Sequence, residues 1–213
     1  MASEIDICNL ALAHLGDTAT IASLSPPEGS AQAEHCARFY PVARDSLLEM
    51  HPWGFATRRV QLALLTSGWP EWAYAYAQPA DALNVIAILP PESTDDYSTG
   101  VPDSAGGSYV PQPFSCEIND SGAPVIYTDQ ADAVLRYPAT VTDPTRFSPL
   151  FVMALSWHLA SMLAGPIIKG DAGAAEAKRC AGMMQAYLSK AVESDSSQRR
   201  VRPEHVVGWM AGR

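Results

Sequence analysis

The hexapeptide His51-Pro52-Trp53-Gly54-Phe55-Ala56 marks the point at which the apolar pattern of the chain changes. Before it, apolar residues recur every three or four positions, as they do on the buried face of a helix. After it, large residues alternate with small or polar ones, as they do in strands. Proline ends helices, and glycine is common in turns. The hexapeptide therefore separates a helical part of the chain from a β part.

Two helices are expected before this turn. The first runs from Glu4 to Leu15, because Ser3 is a good N-cap and Gly16 favours a stop. The second runs from Ser30 to about His51, and Pro41 is expected to kink or split it by removing a backbone donor. The predicted buried faces are Ile5, Cys8, Leu12 and Leu15 in the first helix, and Cys36, Tyr40, Ala43, Leu47 and Met50 in the second.

A small antiparallel sheet of four or five strands is expected between Val60 and Tyr137. Residues 92 to 113 are rich in Ser, Thr, Asp, Gly and Pro, and they predict a long irregular loop or a disordered excursion. The predicted strands alternate large and small residues or are short apolar runs flanked by turns. They are Trp72 to Ala77, Leu83 to Leu89, Phe114 to Ile118, Val125 to Thr128 and Ala133 to Tyr137.

Helices are expected again after Asp143-Pro144. Helix 3 runs from about Ser148 to Ala164 and should stop at Gly165-Pro166, and helix 4 runs from about Asp171 to Val192. The fold class is therefore predicted as α+β, mainly helical. A four-helix bundle is formed by residues 1–60 and 140–195, an acidic β-lobe of residues 61–139 is inserted in it, and residues 196–213 form an extended C-terminal arm.

The negative charge is concentrated in the β-lobe. The chain has a net charge of −9, and no Lys or Arg occurs from Val60 to Leu135. A nucleic-acid-binding module would carry a basic face, so that class is excluded. Two interpretations remain: a lobe that keeps the protein soluble, or a surface that lets DNA pass without binding its phosphates. Candidates for an acidic DNA-channel surface are Asp95, Asp96, Asp103, Asp120, Asp129 and Asp132.

No catalytic residue, metal site or cofactor is predicted. The sequence has no P-loop, no G-x-G-x-x-G and no G-x-S-x-G motif. None of the five histidines has a His or Cys partner at metal-ligand spacing. His35 and Cys36 are neighbours on a helix and point about 100° apart, which excludes a catalytic pair. His158 is expected to have a structural role beside the buried face of helix 3.

A protein of the reducing cytosol, with no membrane span, is expected. Four widely spaced cysteines give no disulfide framework. The N-terminus lacks the features of a signal peptide. No stretch was expected to reach the roughly 18 to 20 apolar residues of a membrane helix.

Two further sets of residues are candidates for contacts. Arg44 and Asp45 are either exposed charges or, as preferred here, a contact between subunits or domains. Segment 196–213 is either a disordered polar end or a docking arm that becomes ordered on a partner. The docking arm is preferred because Trp, Met and Arg are enriched in interface cores. Its candidate residues are Arg199, Arg200, Arg202, Val206, Val207, Trp209 and Met210.

Five segments, taken in order, resemble the head-to-tail adaptor family of short-tailed bacteriophages, the connectors similar to tail tubular protein A. The resemblance covers most of the chain and is loosest at residues 92–113 and after Ser194. The segments are Asn9-Leu10-Ala11-Leu12-Ala13-His14-Leu15-Gly16, Tyr40-Pro41-x-x-Arg44-Asp45, Pro52-Trp53-x-Phe55-Ala56, Tyr74-Ala75-Tyr76-x-x-Pro79-Ala80-Asp81-x-Leu83 and Phe147 to Ile168.

The resemblance implies a structural protein of the virion, assembled in the host cytoplasm and located at the head–tail interface. Such proteins form a dodecameric ring beneath the portal protein, contact the tail nozzle or next tail protein, and extend the DNA channel without specific DNA binding. Two alternatives are another virion ring, such as a head-completion or tail protein, and a virion-associated cell-wall hydrolase. The hydrolase would need two carboxylates held at a fixed separation in a cleft.

Overall fold

The computed structural model describes residues 2–66, 69–91 and 112–198. Within these ranges the chain has four α-helices, one 3-10 turn (Pro144–Arg146) and seven strands, and the predicted α+β class is confirmed. The helices are α1 Glu4–His14, α2 Ala31–Glu49, α3 Pro149–Ile168 and α4 Gly170–Ser197. The strands are β1 Thr57–Gln61, β2 Ala63–Leu65, β3 Tyr74–Ala77, β4 Ala87–Leu89, β5 Phe114–Ile118, β6 Pro124–Thr128 and β7 Val134–Pro138.

The chain divides into two compact units. The helical unit contains the described residues up to Phe55 and from Thr140 onward, and the β unit contains Ala56–Ala139 among the described residues. The predicted boundaries lay at residues 60/61 and 139/140. The chain thus leaves the helical unit after the Pro-Trp-Gly-Phe turn, forms the β unit, and returns to complete the helical unit.

The first two helices begin at the predicted caps. The Ser3 hydroxyl accepts the Asp6 N–H, and the Asp6 carboxylate accepts the Ser3 N–H, which completes a capping box. Ser30 caps α2 in the same way through the N–H of Ala33. Pro41 does not split α2, which continues to Glu49. The buried residues on both sides of Pro41 hold the two halves together despite the missing donor.

The predicted buried faces of α1 and α2 need correction at three positions. Ile5 and Leu15 are only partly buried, whereas Ile7 and Ala11 lie in the core beside Cys8 and Leu12. The buried face is therefore rotated from the predicted one. Met50 is 52% exposed because α2 ends at Glu49 and Met50 is its C-cap.

Helix α3 was predicted to stop at Gly165-Pro166, and this is wrong. The helix continues to Ile168 and ends where Lys169 and Gly170 adopt positive φ angles of 63° and 60°. Leu163 and Ala164 are fully buried, so packing extends the helix through the Gly-Pro pair. Helix α4 then begins at once and is longer than predicted.

Helix α3 also corrects the expectation about apolar length. It is the one helix in the described residues that is long and apolar enough to cross a membrane, with a mean hydropathy of 1.6. Half of that stretch is buried inside the protein. Its buried residues include Phe151, Leu155 and Leu159, all without exposed surface. A core helix has this composition as well, so the feature is weak evidence for a membrane span.

The β unit contains two antiparallel sheets where one was predicted. The three-stranded sheet has the order β1-β7-β4, and the four-stranded sheet has the order β2-β3-β6-β5. Leu62 lies between β1 and β2, is buried, and donates its N–H to the Ala133 carbonyl at 2.9 Å. The two sheets share one apolar core, whose largest buried members are Leu62, Tyr76, Ile88, Ile126, Leu135 and Tyr137.

Candidate interaction surfaces

The residues of the Pro-Trp-Gly-Phe turn form the aromatic core of the helical unit. Trp53 has no exposed surface, and its indole N–H donates to the Leu47 carbonyl at 2.9 Å. Phe151 of α3 packs edge-on against Trp53 and Phe55, with ring centroids 5.0 and 5.1 Å apart. Phe147 packs 5.7 Å from Phe55. Trp53 is thus a core residue, and its side chain has no surface left for a subunit contact.

The same turn is joined to the far end of α4 by a carboxylate. Both oxygens of Asp195 lie 3.1 Å from the Gly54 N–H, and Asp195 Oδ2 is 3.3 Å from His51 Nε2. The Asp195 side chain is only 14% exposed. A bond from a carboxylate to a backbone N–H is stronger than a neutral one. Asp195 therefore fixes the end of α4 to the turn that follows α2.

Arg44 and Asp45 bind each other within the helical unit. The guanidinium makes two contacts with the carboxylate, Nε to Oδ1 at 2.8 Å and a terminal nitrogen to Oδ2 at 3.2 Å. The Arg44 side chain is 9% exposed, whereas that of Asp45 is 39% exposed. A role in subunit contacts stays a prediction, and it falls on Asp45, since Arg44 has little accessible surface.

A stack of three side chains joins α1, α3 and α4. The His14 and Trp157 rings lie parallel with centroids 3.6 Å apart, and the Arg179 guanidinium lies 5.2 Å from the Trp157 ring centroid. Arg179 also donates to the His14 carbonyl at 3.0 Å and pairs with Glu176. Burial and the positive charge of Arg179 lower the pKa of His14 to about 4. His14 is thus held neutral at pH 7.

His158 has the structural role expected of it. Its Nε2 lies 2.9 Å from the Ser46 hydroxyl, which joins α3 to α2. Burial lowers its pKa, since the charged imidazolium is disfavoured away from water. His14 and His158 are therefore both neutral groups that connect helices.

The acidic candidates are not gathered on one surface in the described part of the chain. Asp120 lies in the turn between β5 and β6, whereas Asp129 and Asp132 lie in the turn between β6 and β7. These two turns are at opposite ends of β6, a separation of about 17 Å at the usual strand rise. Asp129 accepts the Ala73 N–H at 3.0 Å, which is a local structural role. Asp95, Asp96 and Asp103 lie outside the described residues.

The predicted start of the docking arm at residue 196 is wrong, because helix α4 continues to Ser197. The candidate residues of the arm lie outside the described residues. This applies to Arg199, Arg200, Arg202, Val206, Val207, Trp209 and Met210.

Two features of the described residues bear on the catalytic alternatives. They contain no group of three His, Cys, Asp or Glu side chains that could hold a metal ion. An open cleft of about 460 Å³ in the helical unit is lined by Ser3, Glu4, Ser23, Ser25 and Thr145, together with apolar residues. Glu4 is the only carboxylate in this lining. A glycosidase needs a pair of carboxylates, so this cleft does not match the hydrolase alternative.

Sequence reasoning missed β2, one of the two edge strands of the four-stranded sheet, whereas the other edge strand, β5, has its predicted bounds. All three residues of β2 are exposed, and Leu64 is exposed to 63%. At the other edge, Ile118 of β5 is exposed to 74%. Strand β2 consists of only three residues, Ala63-Leu64-Leu65, and this run is too short to show the alternation of buried and exposed residues that predicts a strand.

The chain was compared with protein-family models and with curated protein sequences. No protein-family model matches the chain, and no curated protein sequence matches it.

Proposed function

We propose that the protein is a head-to-tail adaptor of a short-tailed bacteriophage, a structural protein that forms a ring between the portal and the tail and extends the DNA channel. The proposal rests on the ordered set of segments that resemble this family. The observation that carries it is the course of the chain. One helical unit is built from both ends, and a β unit is inserted after the Pro-Trp-Gly-Phe turn.

The packing of the helical unit supports the finer proposal of a four-helix bundle. Helix α3 contacts α1, α2 and α4, so it is the central helix of the unit. The motif residues Trp53 and Phe55 pack directly on α3 through Phe151. Two of the five segments that carry the resemblance, the Pro-Trp-Gly-Phe turn and Phe147 to Ile168, are therefore packed against each other.

The proposed mechanism is assembly rather than catalysis. Subunits meet the portal protein, which acts as the template, and burial between neighbouring subunits then locks the ring. The part of the arm that follows α4, residues 199–213, docks on the portal and becomes ordered there, as coupled folding and binding allows. The stretch from Val60 to Leu135 of the β unit disfavours DNA retention, because it has no Lys or Arg to replace the counterions of the phosphates.

The test is a measurement of particle mass by mass photometry. The purified full chain is measured alone, then mixed with the portal protein of the same phage. A jump from the chain mass to the mass of a portal plus a ring supports the proposal. A portal mass that does not change on mixing refutes it, and activity of the chain on a peptidoglycan zymogram would favour the hydrolase instead. Deletion of residues 196–213 should abolish the jump if the arm docks on the portal.

A further inference from the structure

The four-stranded sheet of the β unit has two open edges of different sequence. In the described part of the chain, β2 pairs with β3 alone, and β5 pairs with β6 alone. Each edge therefore presents a row of backbone donors and acceptors that can accept another strand. Natural proteins usually protect such edges with charged residues or proline. Strand β2 has neither, since its sequence is Ala63-Leu64-Leu65.

The exposed apolar side chains of the two edges lie on the same face of the sheet. Leu64 pairs with Tyr76, Tyr76 with Ile126, and Ile126 with Cys116. Residues that pair across strands share a face, so Leu64 and Cys116 share one. Ile118 lies two positions after Cys116 and is on that face as well. Tyr76 and Ile126 belong to the buried core, so the edges extend an apolar face beyond the core.

We propose that these edges join copies of this chain, with β2 of one subunit pairing antiparallel with β5 of the next. This inference rests on the proposed ring and states how its subunits meet. Successive strands of this sheet are antiparallel, so β2 and β5 run in opposite directions within one subunit. A neighbour placed beside the first by a small rotation keeps its strand direction and its face. Its β5 therefore meets β2 antiparallel, with the apolar faces aligned.

The charges near the two edges fit the same alignment. Exposed Arg58 and Arg59 lie in β1, directly before β2. Exposed Glu117 and Asp120 lie at the end of β5 and in the turn after it, in a region without Lys or Arg. Antiparallel pairing places the end of β5 beside the start of β2, so the acidic turn of one copy approaches the basic strand of the other. Two different edges make a head-to-tail contact, which closes into a ring when the rotation allows.

Cys116 provides a native probe for this contact. It is exposed, whereas Cys8, Cys36 and Cys180 have no exposed surface. Within one subunit, β2 and β5 are three strand spacings apart, about 14 Å. This exceeds the limit of about 7 Å between the Cα atoms of a disulfide. A disulfide between a cysteine placed in β2 and Cys116 can therefore form only between two copies.

The experiment introduces Leu64→Cys or Thr66→Cys in the full chain, both on the face of Cys116, so that two registers are covered. The thiols are oxidised with diamide, which accepts the two electrons and two protons released as each disulfide forms. The expected result on a non-reducing gel is a ladder of dimers, trimers and larger covalent species. Leu65→Cys, on the opposite face, should give no ladder, and adding Cys116→Ser to Leu64→Cys should abolish it.

The outcomes separate this inference from the proposed function. No ladder from either Leu64→Cys or Thr66→Cys overturns the edge contact. Dimers that persist without Cys116 also overturn it, because they indicate a symmetric β2–β2 contact. If the ladder is absent while the portal protein still raises the particle mass, the edge contact fails and the adaptor proposal stands. A ladder without any response to the portal protein supports the edge contact and refutes the adaptor proposal.

Discussion

Replacement of Trp53 by phenylalanine tests how much the buried hydrogen bond of its indole stabilises the helical unit. The substitution keeps an aromatic ring in the core but removes the indole N–H that donates to Leu47. Trp157→Phe is the matched control. Trp157 is also buried, at 9% exposure, but its indole N–H has no hydrogen-bond partner in the described part of the chain.

The expected magnitudes follow from these contacts. Trp53→Phe loses a buried hydrogen bond, about 1 kcal/mol, and leaves a cavity among rings that pack closely, about 1 to 2 kcal/mol more. The free energy of unfolding should therefore fall by about 2 to 3 kcal/mol. Trp157→Phe also weakens a stack, but it removes an unsatisfied buried donor that costs about 1 to 3 kcal/mol. Its net cost should be about 0 to 1 kcal/mol.

The assay is urea unfolding followed by circular dichroism at the helical band. Both variants should keep the wild-type dependence on urea concentration, since neither changes the surface exposed on unfolding. The midpoint should fall clearly for Trp53→Phe and little for Trp157→Phe. Equal losses for the two variants would refute the reasoning, because the hydrogen bond would then make no difference between two buried indoles.

Three further predictions concern the helical unit. The pKa of His14 is lowered to about 4 from 6.5, so the unfolded state binds the proton more readily between these values. The free energy of unfolding should therefore fall as the pH is lowered from about 6.5 to about 4, by about 1 to 2 kcal/mol after allowance for the partial exposure of His14. Thermal unfolding at pH 7 and 4.5 should show this, with a smaller difference in His14→Gln. Asp195→Ala should lower the free energy of unfolding by about 1 to 3 kcal/mol, because the Gly54 N–H loses its acceptor. Urea unfolding measures this loss, and an unchanged midpoint would show that the bond between Asp195 and Gly54 does not stabilise the fold. Gly173→Ala should lower the melting temperature, because the added Cβ would lie 3.0 Å from the Ala164 carbonyl oxygen. Gly182→Ala adds a Cβ in open space and should raise the melting temperature through better helix propensity. The opposite order would contradict the close approach of α3 and α4.

Local signals in the sequence were sufficient for the starts of the helices. Ser3 and Ser30 act as caps, as predicted, because a cap depends on residues within three positions along the chain. The ends of helices were less predictable. Gly165-Pro166 is a strong local stop signal, but the burial of Leu163 and Ala164 overrides it. Contacts between α3 and α4 decide that boundary, and no window of the sequence contains them.

The β unit shows the same limit in another form. The alternation in Trp72 to Ala77 predicted a strand because the large side chains, Tyr74 and Tyr76, share one face of β3 and the small ones share the other. Strands β1 and β2 were missed because four of five residues in β1 and all three in β2 are exposed, which leaves no alternation to detect. Burial produces the pattern that sequence reasoning uses. The exposed strand β2 lacks that pattern, so one side of the proposed subunit contact was not predictable, whereas β5, the other side, was predicted with its observed bounds.

The candidate contact residues differ in how far the sequence could assign them. Composition identified Arg44 and Asp45 as a pair, but only the structure shows that they bind each other and that Arg44 is buried. Composition also grouped the acidic residues, yet Asp120 lies at the opposite end of β6 from Asp129. Charge along a sequence gives the sign of a region, whereas the distribution of that charge over a surface depends on strand pairing.

The position of Asp120 has a consequence for the two interpretations of the acidic β unit. A lobe that only keeps the protein soluble would benefit from charges spread over its open edges, since charge prevents edge-to-edge pairing. In this sheet Asp120, Asp129 and Asp132 lie in turns and Glu117 lies near the end of β5, while β2 carries no charge. The charges therefore leave the β2 edge available for pairing. This distribution fits the proposed pairing of subunits at β2, since a lobe that only keeps the protein soluble would be expected to carry charge on that edge as well.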